Sequence, residues 1–204
     1  MASRGRLLAL EGIDGSGKST QAKQLAQAFD AVLTFEPGAT ELGASLRHTL
    51  LSPELPPVST RAEALLMAAD RAEHIARVIE PALSAGRWVV TDRFSGSTLA
   101  YQGYGRGIPL AELSTLIEWA TSGLQPDLTI LVDVPEEVAA ARMARAAPDR
   151  FEKLGLPFAA RVRDGFLALA AADPTRWLVV DGTEKPASLS TRIVDIVRTM
   201  LGDR

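Results

Sequence analysis

The stretch LALEGIDGSGKST, Leu8–Thr20, carries the strongest structural signal in the chain. An apolar run leads into three glycines within the six residues Gly12–Gly17, and Lys18 follows at once. Glycines this close weaken a helix or a strand, but they suit a backbone that needs unusual torsion angles or approaches a ligand closely. The spacing matches the phosphate-binding P-loop pattern G-x-x-x-x-G-K-[ST] at every fixed position. A flexible Gly/Ser turn is the alternative, and the order of strand, loop, lysine, hydroxyl and helix argues against it.

The P-loop predicts a binding site for a nucleoside triphosphate. It connects an apolar strand, Leu7–Leu10, to a helix, Ser19–Phe29, so that backbone N–H groups and the positive end of the helix dipole face a phosphate chain. In such loops the lysine neutralises the β- and γ-phosphates and the next hydroxyl binds Mg²⁺. We expect the nucleotide to be held by Gly12, Ile13, Asp14, Gly15, Ser16, Gly17, Lys18, Ser19 and Thr20.

Length and composition limit the class of protein. The chain has 204 residues, of which 47% are hydrophobic and 23% charged, as expected for a single folded domain over residues 1–204. Cysteine is absent, which excludes disulfides and favours a reducing, cytoplasmic location. The segment MASRGR meets the first strand directly, and no apolar run approaches the length of a membrane span, so we expect neither a signal peptide nor a membrane partner. The net charge of −3 argues against a nucleic-acid partner.

The fold class follows from the alternation of strands and helices. Helical patterns separate short apolar runs, which predicts an α/β, three-layer P-loop NTPase-type fold with a parallel sheet of five strands between helices. The proline-rich segment Leu51–Thr60 is expected to be an ordinary connection into a helix capped by Ser59 or Thr60. In such sheets ligands bind at the carboxyl ends of the strands. The predicted strands are Leu7–Leu10, Ala31–Phe35, Trp88–Thr91, Leu128–Val132 and Trp177–Val180.

Polar residues follow the third strand. Asp92 stands where P-loop enzymes place a carboxylate near Mg²⁺, and Arg93 beside it suits a bidentate grip on a phosphate. An Asp-Arg pair alone is more often a surface ion pair, but the P-loop in the same sheet favours a functional role. Four polar residues follow on what is predicted to be one turn of helix. They either lie near a substrate or belong to a capped surface helix. These residues are Ser97, Thr98, Tyr101 and Gln102.

Two further arginines, Arg47 and Arg71, are candidates for binding a ligand. Glu36 ends the second strand and Arg47 follows on the next helix, although a turn with a solvated arginine fits equally well. Arg71 lies within the apolar stripe of the predicted helix Arg61–Leu83. A buried unpaired guanidinium is costly, so Arg71 needs either an internal carboxylate or a ligand.

A basic segment predicts a lid at about residues 142–153. Ala146-Ala147-Pro148 breaks the helical pattern between arginines, and such a segment suits closure over transferring phosphates. The alternative is an exposed basic face on a helical hairpin. The arginines concerned are Arg142, Arg145, Arg150, Arg161 and Arg163. His48 and His74 show no metal-ligand spacing and are interpreted as surface or satisfied helix residues.

Taken together, these segments resemble bacterial thymidylate (dTMP) kinases. The resemblance runs in order from about residue 7 to 181, and DRF followed by STLAYQG, together with EP-G-x-T, is more specific than a P-loop alone. It implies phosphoryl transfer from ATP to dTMP with Mg²⁺ as cofactor, and a homodimer. The matching segments are EGIDGSGKST, FEPGATELGASLR, LLMAADRAEHI, DRFSGSTLAYQG, PDLTILVDVPEE and DRFE with RVRDGF.

The resemblance also implies roles for single residues. Lys18 with the P-loop backbone holds the ATP phosphates, Arg47 and Arg93 grip the dTMP phosphate, and Arg71 hydrogen-bonds the thymine. Asp14 contacts the sugar 3′-hydroxyl or the acceptor region. The remaining implied roles are base lining by Ser97, Thr98 and Gln102, packing of Tyr101 on the deoxyribose, and organisation of Mg²⁺ by Glu36 and Asp92.

The lid would supply the catalytic arginine, because the P-loop of this chain contains none. Arg145 and Arg150 are favoured for that role. The chain departs from the family at Phe35, where arginine is frequent, and at Met67, where a phenylalanine usually stacks on the base. The sulfur of methionine is polarizable and can cover a ring less rigidly. Ala39 and Phe166 are further departures, from a glycine and a tyrosine.

Two other functions were compatible with the P-loop. A deoxynucleoside kinase must activate a neutral hydroxyl, and the EP-G turn with Arg47, a second phosphate-gripping arginine, argues against it. A nucleotide-dependent switch does not need a pocket lined by Arg71, Arg93 and Tyr101, and the chain lacks the guanine-reading N-K-x-D sequence.

Overall fold

Five parallel strands form the centre of the molecule in a computed structural model that describes residues 4–144 and 150–202. Their order across the sheet is β2-β3-β1-β4-β5. The predicted α/β fold with a five-stranded parallel sheet is confirmed, and two of the predicted strands, Ala31–Phe35 and Trp88–Thr91, begin one residue later than expected. The strands are β1 Leu7–Glu11, β2 Val32–Phe35, β3 Val89–Asp92, β4 Leu128–Asp133 and β5 Trp177–Asp181.

Helices occupy most of the chain between the strands. A π-helical segment, Ile75–Ile79, divides the predicted helix Arg61–Leu83, and another, Leu99–Gly105, extends the short helix that carries the polar residues after β3. The helices are α1 Lys18–Ala28, α2 Glu41–Leu51, α3 Thr60–His74, α4 Glu80–Ser84, α5 Ser95–Thr98, α6 Leu110–Thr121, α7 Glu136–Met143, α8 Leu156–Ala172 and α9 Pro186–Leu201. None of those within the described ranges combines the length and apolar character of a bilayer-spanning segment.

Alternating side chains of the strands feed two apolar layers. On one face Leu8, Leu10 and Ile130 pack with residues of α1 and α9. On the other face Leu7 and Ala9 pack with residues of the π-helical segment Ile75–Ile79 and of α4. Both faces are therefore covered, which explains why the strands are nearly all apolar.

Helix starts follow local capping chemistry. The Ser59 hydroxyl accepts a hydrogen bond from the Ala62 N–H at 3.4 Å. Ser59 is therefore the N-cap of α3, and it is one of the two residues expected to cap this helix. Thr40 caps α2 in the same way, with 2.9 Å between its hydroxyl and the Gly43 nitrogen. Such caps satisfy N–H groups that have no partner within the helix.

The sheet order brings the functional segments to one edge. In the register Leu10 lies beside Asp92, and Asp92 lies beside Phe35. The P-loop after β1, Arg93 after β3 and Glu36 after β2 therefore leave the sheet side by side. Strands β3 and β4 lie on opposite sides of β1. In sheets of this type, a crevice opens at the carboxyl end of the strand where the strand order changes direction.

Replacement of the core residue Ile130 by alanine is expected to lower the free energy of unfolding by about 2–5 kcal/mol, because it leaves a cavity in a side-chain site that is 0% exposed. Val179→Ala on the neighbouring strand is the matched control, since Val179 is 46% exposed and should change the free energy by about 0.5 kcal/mol or less. Urea unfolding followed by circular dichroism measures both; equal losses would contradict the assignment of the core.

Candidate active site

The P-loop has the backbone geometry of a phosphate cradle. Gly12 and Gly17 have φ angles of +144° and +95°, in the region that favours glycine. A side chain at Gly12 would place its Cβ only 2.6 Å from the carbonyl oxygen of Val132. Helix α1 begins at Lys18, and its N-cap residue, Gly17, has no side chain. The Lys18 N–H donates to the Ser16 hydroxyl at 3.4 Å and the Thr20 N–H donates to the Gly17 carbonyl at 3.1 Å, while the positive end of the helix dipole faces the loop and favours an anion there.

Lys18 is buried against its own loop. Its Nζ lies 3.3 Å from Asp14 Oδ1 and 3.4 Å from the carbonyl oxygen of Ile13. Burial lowers the pKa of the Lys18 ammonium, the positive charge of Arg93 lowers it further, and the Asp14 carboxylate opposes both. Ser19 and Thr20 follow as exposed residues.

A second contact joins the P-loop to the end of β3. Arg93 Nη2 donates to Asp14 Oδ1 at 2.5 Å, and the Tyr101 hydroxyl donates to Asp14 Oδ2 at 2.9 Å. Burial alone would raise the pKa of the Asp14 carboxyl, but the charges of Arg93 and Lys18 outweigh it and hold that pKa well below its usual range. Asp14 is thus an ionised counter-charge between two cations.

Arg93 is held in an uncommon backbone conformation. Its φ is +74°, and its N–H donates to the Leu10 carbonyl at 2.9 Å. Its Nη1 donates to the carbonyl of Gly12 at 3.1 Å and to the hydroxyl of Ser97 at 3.0 Å. A positive φ outside glycine costs roughly 1–3 kcal/mol, and such strain clusters at functional sites.

Asp92 fits a magnesium site. Its Oδ1 is buried and has no hydrogen-bond partner among residues 4–144 and 150–202. Mg²⁺ is usually bound through one or two carboxylates, water and substrate phosphates rather than by a cage of protein ligands. The part of the chain that the structure describes contains no cluster of three or more His, Cys, Asp or Glu suited to a metal.

The partner of Arg71 is an internal carboxylate. Arg71 Nε donates to Glu36 Oε2 at 2.8 Å, and both side chains are nearly inaccessible, at 2% and 3% exposed. The guanidinium also donates to the Thr98 hydroxyl and the Phe94 carbonyl, each at 3.0 Å. Arg71 also lines the cavity, and its contact with a ligand stays a prediction.

His74 completes this group. Its Nδ1 lies 2.9 Å from Glu36 Oε1, and its Nε2 lies 2.6 Å from the Thr34 hydroxyl. The expectation of a satisfied helix histidine is confirmed for His74, and His48 is exposed. Both carboxylate oxygens of Glu36 are engaged here, and its role toward Mg²⁺ stays a prediction.

The ten residues predicted to bind the acceptor line one cavity of about 80 Å³. The sequence did not indicate Pro37, Leu51 and Phe151, which line it too. Arg47 lies at the exposed side, where its Nη1 donates to the Pro37 carbonyl at 2.8 Å. The structure thus brings the predicted residues together, while their individual roles stay predictions.

The lid arginines point to different places. Arg150 Nη2 donates to the carbonyls of Ser52 and Leu55, both at 2.7 Å, on the connection between α2 and α3. Arg142, which the sequence analysis did not favour, lies 3.2 Å from the carbonyl oxygen of Ser16 in the P-loop. Arg145 lies outside the described residues. The assignment of the catalytic arginine therefore stays a prediction.

The other two arginines of the basic segment are tied to neighbouring structure. Arg163 Nε donates to Asp133 Oδ1 at 2.8 Å, and Arg161 Nη1 donates to the Pro157 carbonyl at 3.0 Å. These contacts support α8 rather than the cavity.

Three buried carboxylates that contact site residues or their neighbours were not indicated by the sequence. Glu11 accepts bonds from the N–H groups of Phe94 and Ser97, both at 3.0 Å, and burial raises the pKa of its carboxyl to about 7. Asp70 accepts the Gly38 N–H at 2.9 Å, and Glu63 contacts Gln102. The only signal for Glu11 and Asp70 was a carboxylate within an apolar stretch.

Comparison with known proteins gives one consistent family. The family model described as Thymidylate kinase matches residues 10–193. A thymidylate kinase of Cupriavidus metallidurans is 48% identical over 97% of this chain and 100% of its own length. One of Chromobacterium violaceum is 49% identical over 94% of this chain and 92% of its own. The crystal structure of thymidylate kinase from Ehrlichia chaffeensis superposes with a TM-score of 0.76 at 31% identity, over 95% of this chain and 99% of that one.

A pH-dependent stability effect is expected from Asp70. Burial and the Glu36 charge raise the pKa of this carboxyl from 3.8 to about 6, so the folded state binds its proton more tightly than the unfolded state. The stability from this group is present below about pH 4 and is lost as the pH rises through about 6. The stability of wild type relative to Asp70→Asn should fall by on the order of 2–3 kcal/mol over that range in urea unfolding. A difference that does not vary with pH would contradict the raised pKa.

Proposed function

The chain belongs to the thymidylate kinase family, and on that premise we propose that it transfers the γ-phosphoryl group of ATP to dTMP, giving ADP and dTDP. The observation that carries the proposal is the position of Arg93. Its guanidinium donates to the P-loop carbonyl of Gly12 and also lines the acceptor cavity. One side chain thus touches both the loop that cradles a nucleotide and the pocket suited to a second anion.

Transfer to a monophosphate needs little acid–base chemistry. The acceptor oxygen is already anionic at neutral pH, so catalysis consists of positioning the reactants and neutralising their charge. Lys18 and Arg93 supply positive charge, and both are paired with Asp14. Incoming phosphates compete with that carboxylate for the same cations.

Mg²⁺ would be held by the Ser19 hydroxyl and by Asp92, whose Oδ1 lacks a partner among the described residues. The ion, when bound with ATP, neutralises negative charge on the β- and γ-phosphates. Glu36 is proposed to act in the same region through ordered water.

The nucleoside of dTMP would occupy the inner part of the cavity. Arg71, Thr98 and Gln102 face the base, Met67 covers its ring, and Tyr101 packs against the deoxyribose. Within the described residues Arg71 uses three of the five N–H groups of a guanidinium, so donors remain for a base carbonyl. Arg47 at the exposed side suits the acceptor phosphate.

We also propose that the protein is a single-domain cytoplasmic enzyme over residues 1–204 that acts as a homodimer. Helix α3 packs against both α2 and α6, and all three helices carry exposed apolar side chains, which supports self-association there. These side chains are Leu42, Leu65 and Trp119.

Lys18→Ala should lower kcat by at least about 10³-fold while the fold persists, because the ammonium that neutralises the transferring phosphates is lost. Lys23→Ala is the matched control, an exposed lysine on the same helix, and should retain normal turnover. A coupled ADP-release assay measures both, with circular dichroism for folding. Near-normal activity of folded Lys18→Ala would refute the mechanism.

The acceptor itself is tested by comparing dTMP with thymidine in the presence of ATP and Mg²⁺. ADP formation should be fast with dTMP and close to background with thymidine, since the two carboxylates that line the cavity, Asp14 and Glu36, are held in ion pairs with arginines and are poor bases for a neutral hydroxyl. Preferential turnover of thymidine would instead identify a deoxynucleoside kinase.

A further inference from the structure

We propose that Glu63 determines the base selectivity of the cavity by fixing the orientation of the Gln102 amide. Glu63 does not line the cavity, and it acts through Gln102, which does. It is therefore a positioning residue. The proposal rests on the function proposed above, because it takes the cavity to hold the base of a nucleoside monophosphate.

The contact between the two side chains allows only one amide orientation. Gln102 Nε2 donates to Glu63 Oε1 at 3.0 Å, and the two residues are 1% and 2% exposed. An ionised carboxylate accepts hydrogen bonds and cannot donate them, so the amide end facing Glu63 must be the NH₂ group. The carbonyl Oε1 of Gln102 is then the end available to the cavity.

Arg106 holds the carboxylate of Glu63 in place. Its Nη2 donates to Glu63 Oε2 at 2.8 Å and its Nε donates to Oε1 at 3.2 Å. The guanidinium carbon lies 5.5 Å and 5.4 Å from the ring centres of Phe151 and Phe158. A two-point contact of this kind fixes both the charge and the rotation of the carboxylate.

The cavity therefore presents a donor and an acceptor to a base. Arg71 supplies N–H donors and Gln102 supplies Oε1, and both line the cavity. Thymine and uracil have a carbonyl oxygen next to an N–H and match this pair. Cytosine has an amino group next to an unprotonated nitrogen and presents the reverse pattern, which leaves buried polar groups unpaired. The probe that separates the two patterns is dCMP; a 6-oxopurine would not, since its edge resembles that of thymine.

Glu63→Gln should remove the constraint on the Gln102 amide. Arg106 donates to both oxygens of Glu63, from Nε to Oε1 and from Nη2 to Oε2, and Oε1 also accepts the bond from Gln102 Nε2. The amide of the variant can present either its oxygen or its NH₂ group to Gln102, and where it presents NH₂, Gln102 turns its own oxygen toward that group and its NH₂ toward the cavity. The variant should therefore accept cytosine better than wild type does, which narrows the preference for thymine.

The experiment compares kcat/KM for dTMP and for dCMP in the wild-type chain and in Glu63→Gln. The ratio of the two values should fall by about tenfold to a hundredfold in the variant. Arg106→Lys is the matched control, because it disrupts the two-point contact but keeps a cation beside the carboxylate that faces Gln102. Its ratio should stay within about twofold of wild type, even if its stability drops.

An unchanged ratio in folded Glu63→Gln, or an equal fall in Arg106→Lys, would overturn the proposal. If Glu63→Gln does not fold, Gln102→Met removes the acceptor and keeps the approximate shape, and it should weaken dTMP binding while leaving dCMP binding unchanged. Calorimetric titration with the two monophosphates measures this without turnover. It also separates the two proposals: wild type that binds dTMP over dCMP but does not phosphorylate it contradicts the proposed function alone, and equal affinities contradict the inference about Glu63.

Discussion

The acceptor side of the site depends on the buried ion pair between Arg71 and Glu36. The pair joins α3 to the turn after β2, and through Thr98 and the Phe94 carbonyl it also reaches α5. A buried ion pair contributes little net stability, since desolvation offsets the attraction, yet removal of one partner costs about 3–5 kcal/mol. Its main consequence is geometric: three elements distant in sequence hold one guanidinium at the wall of the cavity.

The same principle operates where the nucleotide loop meets the cavity. Asp14 pairs with Lys18 and Arg93, and its depressed pKa shows that it stays ionised between them. Two cations can thus be kept in a partly desolvated site. When a phosphate replaces the Asp14 carboxylate as the partner of these two cations, phosphate binding changes the contacts that Asp14 makes within the P-loop.

Sequence patterns predicted the parts of the site that depend on local spacing. The P-loop, the polar ends of the strands and the buried position of Arg71 follow from motif and periodicity. The partner of Arg71 did not, because Glu36 lies 35 residues away and only the sheet order brings it near. The contact of Arg142 with the P-loop and the contact of Glu63 with Gln102 are likewise tertiary. Periodicity can mark a charged helix residue as buried, as it did for Arg71, but no local pattern marks its tertiary partner.

The most direct measurement is a crystal structure of the protein with dTMP, Mg²⁺ and a non-hydrolysable ATP analogue. The account predicts that Arg71 keeps its bond to Glu36 while a free N–H of its guanidinium faces the pyrimidine carbonyl, and that Arg93 lies between the two phosphate groups. An Arg71 side chain turned away from Glu36, or a pyrimidine bound outside this cavity, would contradict it.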